Sequence, residues 1–154
     1  MAIKEILTIG DESLNKPSKP VTAFNERLWN LLDDMAETMY NANGVGLAAI
    51  QIGIFRRVVV IDIGEGLIEL INPEITATSG SQSGPEGCLS VPGKQGEVTR
   101  PMKVTVKAQD RNGKPFEITG EEFMARALCH EIDHLDGHLY TEIAKNLTTR
   151  TDEE

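Results

Sequence analysis

Apolar residues recur along the chain in two rhythms. In "NERLWNLLDDMAETMYNANG", Leu28, Leu31, Leu32, Met35 and Met39 return every three or four positions, the spacing of one helix face. Asn25 is placed to cap the start of this helix, and Asn43-Gly44 supplies a left-handed stop. "FMARALCHEIDHLDG" has the same period with a wider apolar surface. Phe123, Ala127, His130 and His134 share one face and Leu128, Ile132 and Leu135 the next, while Arg126 is the one charged residue from Phe123 to His130. Such width predicts a helix buried on most of its surface, with both histidines inside the protein. Thr119 and Glu122 form a Thr-x-x-Glu capping box ahead of it, and Gly137 ends it.

The second rhythm has period two or is a short β-branched run. "RRVVVIDI" and "LIELINPEI" predict strands bounded by Gly64, Gly66 and Pro73. "MKVTVKAQD" alternates Val104, Val106 and Ala108 with polar neighbours, and Asn112-Gly113 then turns the chain into a hairpin. The stretch "TSGSQSGPEGCLSVPGKQGEV" is rich in Gly, Ser and Pro and on composition is a solvated loop. The order helix, strands, hairpin, buried helix is not a βαβ alternation. It predicts an α+β fold in which mostly antiparallel sheets wrap a central buried helix carrying His-Glu-x-x-His. Residues 1–154 make one domain, with about 145–154 as a short polar C-terminal tail.

Composition narrows the partners. A net charge of -9, with no local patch of Lys and Arg, argues against nucleic acid or an anionic membrane as a direct partner. "MAIKEILTIG" lacks the apolar run of a signal peptide, and "VVVIDIG" is far too short to cross a bilayer. Two cysteines, Cys88 and Cys129, do not make a disulfide framework, which fits a reducing cytoplasm. The glycines of "GVGLAAIQIG" lack the Lys-Ser/Thr ending of a phosphate-binding loop, so a nucleotide site is rejected.

The chemistry concentrates in "CHEIDHLDG". His130 and His134 lie four residues apart, which stacks both imidazoles on one side of a helix. Unpaired imidazole nitrogens in a core cost free energy, and a metal ion removes that cost. Structural zinc normally takes four protein ligands, whereas catalytic zinc takes three and keeps a position for water. Glu131 projects about a third of a turn from the histidine row, so it suits a place beside the water. His138 lies past the helix stop and is expected at the surface, whereas Cys88 in "EGCLS" sits where a thiolate can approach an ion. Two imidazoles, one thiolate and no convincing fourth ligand describe an open site, which favours reaction over scaffolding. Cys129 is expected as a small buried apolar residue.

Three stretches, in this order, resemble the motifs of the peptide deformylase family: "GVGLAAIQ" (Gly44 to Gln51), "EGCLS" (Glu86 to Ser90) and "HEIDH" (His130 to His134). The resemblance implies a metal-dependent hydrolase that removes the formyl group from the N-terminal formyl-methionine of nascent polypeptides. On this basis Cys88, His130 and His134 hold the metal, and Glu131 is the general base and acid. Gln51 and the Leu89 N–H face the developing oxyanion, while Val45, Gly46 and Gly87 pair with the substrate as an added strand. Amide hydrolysis at neutral pH needs a nucleophile, which a metal provides by acidifying its bound water.

The donor set accepts zinc, iron(II), cobalt or nickel, and the resemblance implies iron(II) in the cell. A methionine pocket is expected among Val45, Phe123 and Ala127. Two features depart from the family's pattern: Cys129 stands where Gln is frequent, and a longer C-terminal helix linked to ribosome contact is replaced by "TEIAKNLTTRTDEE". Ribosome proximity without direct nucleic-acid docking is therefore expected, in a bacterial cytoplasm ahead of an organelle of bacterial origin. Two other readings compete: a metallopeptidase cutting internal amide bonds, and a binding module whose metal site is closed by a fourth ligand.

Overall fold

The computed structural model describes residues 2–149. The helical rhythm gives α1 (Glu26–Asn41) and α2 (Phe123–Leu135), and eight strands make up two sheets. Strands β1 (Gly46–Ala48), β2 (Val58–Ile61), β3 (Ile68–Ser79), β6 (Lys103–Gln109) and β7 (Pro115–Glu121) form a five-stranded sheet in the order β1-β2-β3-β6-β7. Strands β4 (Gln82–Cys88), β5 (Val91–Arg100) and β8 (Lys145–Thr149) form a three-stranded sheet in the order β4-β5-β8. Every pairing between these strands is antiparallel, as expected for the α+β arrangement.

The all-apolar run of β2 follows from its place in the middle. Successive side chains on a strand alternate between faces. Val58 and Val60 meet Leu28, Leu32, Met35 and Met39 of α1, while Val59 and Ile61 meet Leu128, Ile132 and Leu135 of α2. With a helix on each face, neither half of the alternation can be polar. Burying each such side chain contributes about 1.5–3 kcal/mol, so each core fixes its own helix firmly against the sheet. The Asn25 side chain accepts from the Leu28 N–H as a cap, and Asn43 takes φ 57° at the helix exit. The hairpin also forms where expected, with Gly113 at φ 84° and the Asp110 carboxylate accepting from the Asn112 and Lys114 N–H groups. No helix among the described residues is long and apolar enough to cross a membrane.

Three expectations are corrected. Thr119 and Glu122 do not form a capping box. Thr119 lies within β7 with its hydroxyl against that of Thr105, and Glu122 takes φ 55° without a side-chain cap. The strand runs directly into the helix, leaving no extended residue to act as a cap. The Gly/Ser/Pro-rich stretch is not a loop, because it builds the end of β3, then β4 and β5. Pro85 is tolerated there because β4 is an edge strand, where a missing N–H breaks no ladder. Finally, the first five residues of the expected polar tail are β8, which pairs Lys94 with Thr149 and Glu97 with Lys145, exposed throughout. The remainder of that tail lies outside the described residues.

Candidate metal centre

Helix α2 presents His130 and His134 toward the C-terminal end of β4, where Cys88 lies. The His134 Nε2 is 3.3 Å from the Cys88 Sγ and 3.3 Å from the His130 Nε2, and the three donor atoms lie within 4.8 Å of one another. Tetrahedral ligands at ordinary metal–nitrogen and metal–sulfur lengths stand about 3.3–3.6 Å apart. The two separations from the His134 Nε2 therefore match those between ligands of one ion.

The charges agree. Burial lowers the pKa of His130, but its contacts with Cys88 and Glu86 and the nearby Glu131 carboxylate outweigh that and raise it well above its usual value. Burial and the neighbouring His130 lower the pKa of His134 well below its usual value.

His130 is oriented from behind. Its Nδ1 lies 2.8 Å from the Glu86 Oε1, which turns Nε2 toward the thiol. Burial raises the Glu86 pKa, yet Arg100 and His130 together bring it down to about 2. Arg100 grips Glu86 through Nε and Nη2 at 2.8 and 3.0 Å and reaches Asp133 through Nη1 at 2.7 Å. Arg126 adds a 2.6 Å bond to the same carboxylate. Sequence reasoning missed this network. The signal available was Arg126 itself, a lone cation in an otherwise uncharged stretch of buried helix, which requires a buried anion.

Gln51 is 1% exposed. Its Oε1 accepts the Ala48 N–H at 2.9 Å, so its Nε2 faces the Ser90 Oγ at 3.0 Å and the Cys88 Sγ at 3.6 Å. Ser90, also unassigned from sequence, holds this amide in place. An N-terminal segment straps the two turns together, Leu7 donating to the Gln51 carbonyl and Ile9 to the Ser90 carbonyl, each at 2.7 Å.

Glu131 is buried, and among the described residues its Oε1 has no partner. Burial pushes its carboxyl up to about 7. Val45, Gly46, Gln51, Gly87, Leu89 and Glu131 all line one cavity of about 600 Å³, together with Cys88 and His130. Phe123 and Ala127 form another part of its wall. Strands β1 and β4 are sheet edges, and their residues Gly46 and Gly87 line the cavity. Away from the centre, Cys129 is 4% exposed and burial pushes its thiol up to about 11, as expected of a core residue. His138 is exposed beside Glu142.

Three converging donors that could hold a metal ion, a cavity against them and a buried carboxylate with an unpartnered oxygen, taken among the described residues, are what a metal-dependent hydrolase requires. The family model described as polypeptide deformylase matches residues 3–150. A peptide deformylase of Thermoanaerobacter pseudethanolicus is 61% identical over 144 residues, covering 94% of this chain and 91% of that relative. The crystal structure of a peptide deformylase from Legionella pneumophila superposes with a TM-score of 0.91 at 52% identity, covering 94% of this chain and 88% of that one. The structure from Thermotoga maritima gives 0.92 at 40% identity, covering 94% and 99%. The chain belongs to the polypeptide deformylase family. It is a hydrolase that removes the formyl group from the N-terminus of nascent polypeptides with the help of a divalent metal.

Proposed function

We propose that Cys88, His130 and His134 hold a single divalent ion and that Glu131, Gln51 and the Leu89 N–H carry out the deformylation of formyl-methionyl chains. The observation that carries this reading is the convergence of a sulfur from β4 with two nitrogens from α2, each 3.3 Å from its neighbour. An ion held there would supply an acidified water and polarise the formyl carbonyl.

The protein's own groups do the rest. Glu131, with a free buried oxygen and a pKa pushed up to about 7, is suited to take a proton from water and return it to the leaving amine. The products are formate and a free N-terminal amine. The Gln51 Nε2, held by Ala48 and Ser90, and the Leu89 N–H face the oxygen that gains charge. Losing one such donor commonly costs on the order of 10²–10³ in rate. Val45, Gly46 and Gly87 serve the substrate backbone as partners of an added strand.

Iron(II) is the ion assigned in the cell, with zinc, nickel and cobalt as accepted replacements for this N₂S set. The bacterial relatives and the nature of formylated chains support a bacterial cytoplasm close to the ribosome. The net charge of -9 supports a protein that does not dock directly on nucleic acid.

Formate release from formyl-Met-Ala-Ser under anaerobic conditions, with iron(II) or nickel present, tests the reading. Glu131→Ala is expected to keep the metal and the fold and lose turnover. Equal activity in that variant would defeat the assignment.

A further inference from the structure

Arg126 is the one charged residue between Phe123 and His130, and beyond its bond to Glu86 no role has been given to it. It stands one helical turn before His130 and lines the same cavity. Its side chain is 7% exposed. The Nη1 donates to Glu86 and, at 3.1 Å, to the Val98 carbonyl. Among the described residues, Nε and Nη2 have no hydrogen-bond partner. Gly84 explains how the head group fits: a Cβ there would lie 3.4 Å from Nη2, so the guanidinium rests against bare backbone of β4. The neighbouring cavity wall, from Phe123, Ala127, Pro85 and Gly87, is apolar. A nearly buried guanidinium, with donors the described residues leave free, interrupts that wall.

We propose that Arg126 is a specificity-determining residue, selecting N-terminal side chains whose far end accepts a hydrogen bond. This rests on the function proposed above, since it takes the wall of Phe123 and Ala127 as the pocket for the first residue's side chain. A thioether sulfur accepts weakly, and the oxygen of a sulfoxide accepts strongly. An aliphatic side chain of equal length leaves the guanidinium donors without a partner. A purely apolar pocket would rank these ligands in the opposite order, because it strips water from the sulfoxide and returns nothing.

The test compares kcat/KM for three peptides: formyl-Met-Ala-Ser, formyl-norleucyl-Ala-Ser and formyl-methionine-sulfoxide-Ala-Ser. The metal-loaded wild-type protein and R126M are measured side by side. Turnover of the first peptide reports on the reading of the site alone, and its absence in folded, loaded protein would remove both that reading and this one. Given turnover, the wild-type protein is expected to process the sulfoxide peptide within about tenfold of the norleucyl peptide. In R126M the sulfoxide-to-norleucine ratio is expected to fall by about tenfold or more. A ratio taken within one preparation cancels any loss of folded or loaded protein. An unchanged ratio in R126M, or more than tenfold discrimination against the sulfoxide in the wild type, would overturn the proposal. If R126M does not fold, the wild-type ratio decides alone.

Discussion

Gly46→Ala adds one methyl group and should cost the protein its chemistry while sparing its metal. A Cβ at position 46 would lie 2.5 Å from the Glu131 Oε2 and 2.9 Å from both Cγ and Cδ of that residue. Ordinary contact between such atoms begins near ~3.5 Å, so the carboxylate must withdraw by about 1 Å. The helix cannot move with it, because Leu128, Ile132 and Leu135 anchor α2 in the core. The strand is tied too, with Gly46 paired to Ile61 of β2. The displacement therefore falls on the Glu131 side chain. Misplacing a reacting group by about 1 Å costs on the order of 10² in rate. His130 and His134 project on another side of α2, so metal content should hold at one ion per chain. The assay is anaerobic formate release from formyl-Met-Ala-Ser, with metal analysis and thermal unfolding on the same sample. The expected result is a kcat lower by about 10² with metal and fold retained. Full activity would show that Glu131 does not need its observed position, and the role given to it would have to be abandoned.

Glu86→Gln removes the charge that orients His130, and loss of such a partner typically weakens metal binding by 10–100-fold, measurable by competition with a chromogenic chelator. The same carboxylate sets an acid limit. Its folded pKa of about 2 lies below the ordinary 4.5, so its stabilisation is present above pH ~4.5 and is lost as pH falls toward ~2. Urea titrations of metal-free protein across that window should show Glu86→Gln flattening the decline. Iodoacetamide applied to native metal-free protein should modify Cys88 and leave Cys129 intact, because Cys129 is 4% exposed with its thiol pushed up to about 11. Peptide mass mapping reads the outcome, and labelling of Cys129 in folded protein would contradict its burial.

What the sequence disclosed follows the range of the interactions involved. Helix α1, its Asn25 cap, the β2 run and the Asn112-Gly113 turn depend on neighbours a few residues away, and all appear where expected. The histidine pair was legible because four residues is about one helical turn. The β4–β5 segment was not, since its strand character comes from pairing: the ladder from Gln82–Arg100 to Cys88–Val91 holds residues whose own preference is for turns. The start of α2 was misjudged for a related reason, its approach being fixed by the Glu122 N–H bonding to the Met102 carbonyl and not by any local cap. The Glu86 network spans 47 positions from Glu86 to Asp133 and leaves no periodic trace.

That network also explains how a centre divided between two sheets keeps its geometry. The five-stranded sheet is locked to α2 by a broad apolar core, but the three-stranded sheet that delivers Cys88 has a small one of its own, built on Val91, Val98 and Tyr140. Apolar contact is non-directional and could tolerate sliding of β4 along the helix. The bonds from Arg126 to Glu86 and Val98, and from Arg100 to Glu86 and Asp133, cannot. They fix β4 and β5 against α2 within hydrogen-bond tolerance, close to where sulfur and nitrogen must meet. Buried ion pairs add little net stability, because desolvation offsets their attraction. Their directionality is what a metal centre requires, and it accounts for the four charged side chains, Glu86, Arg100, Arg126 and Asp133, gathered beside the first imidazole of a largely buried helix.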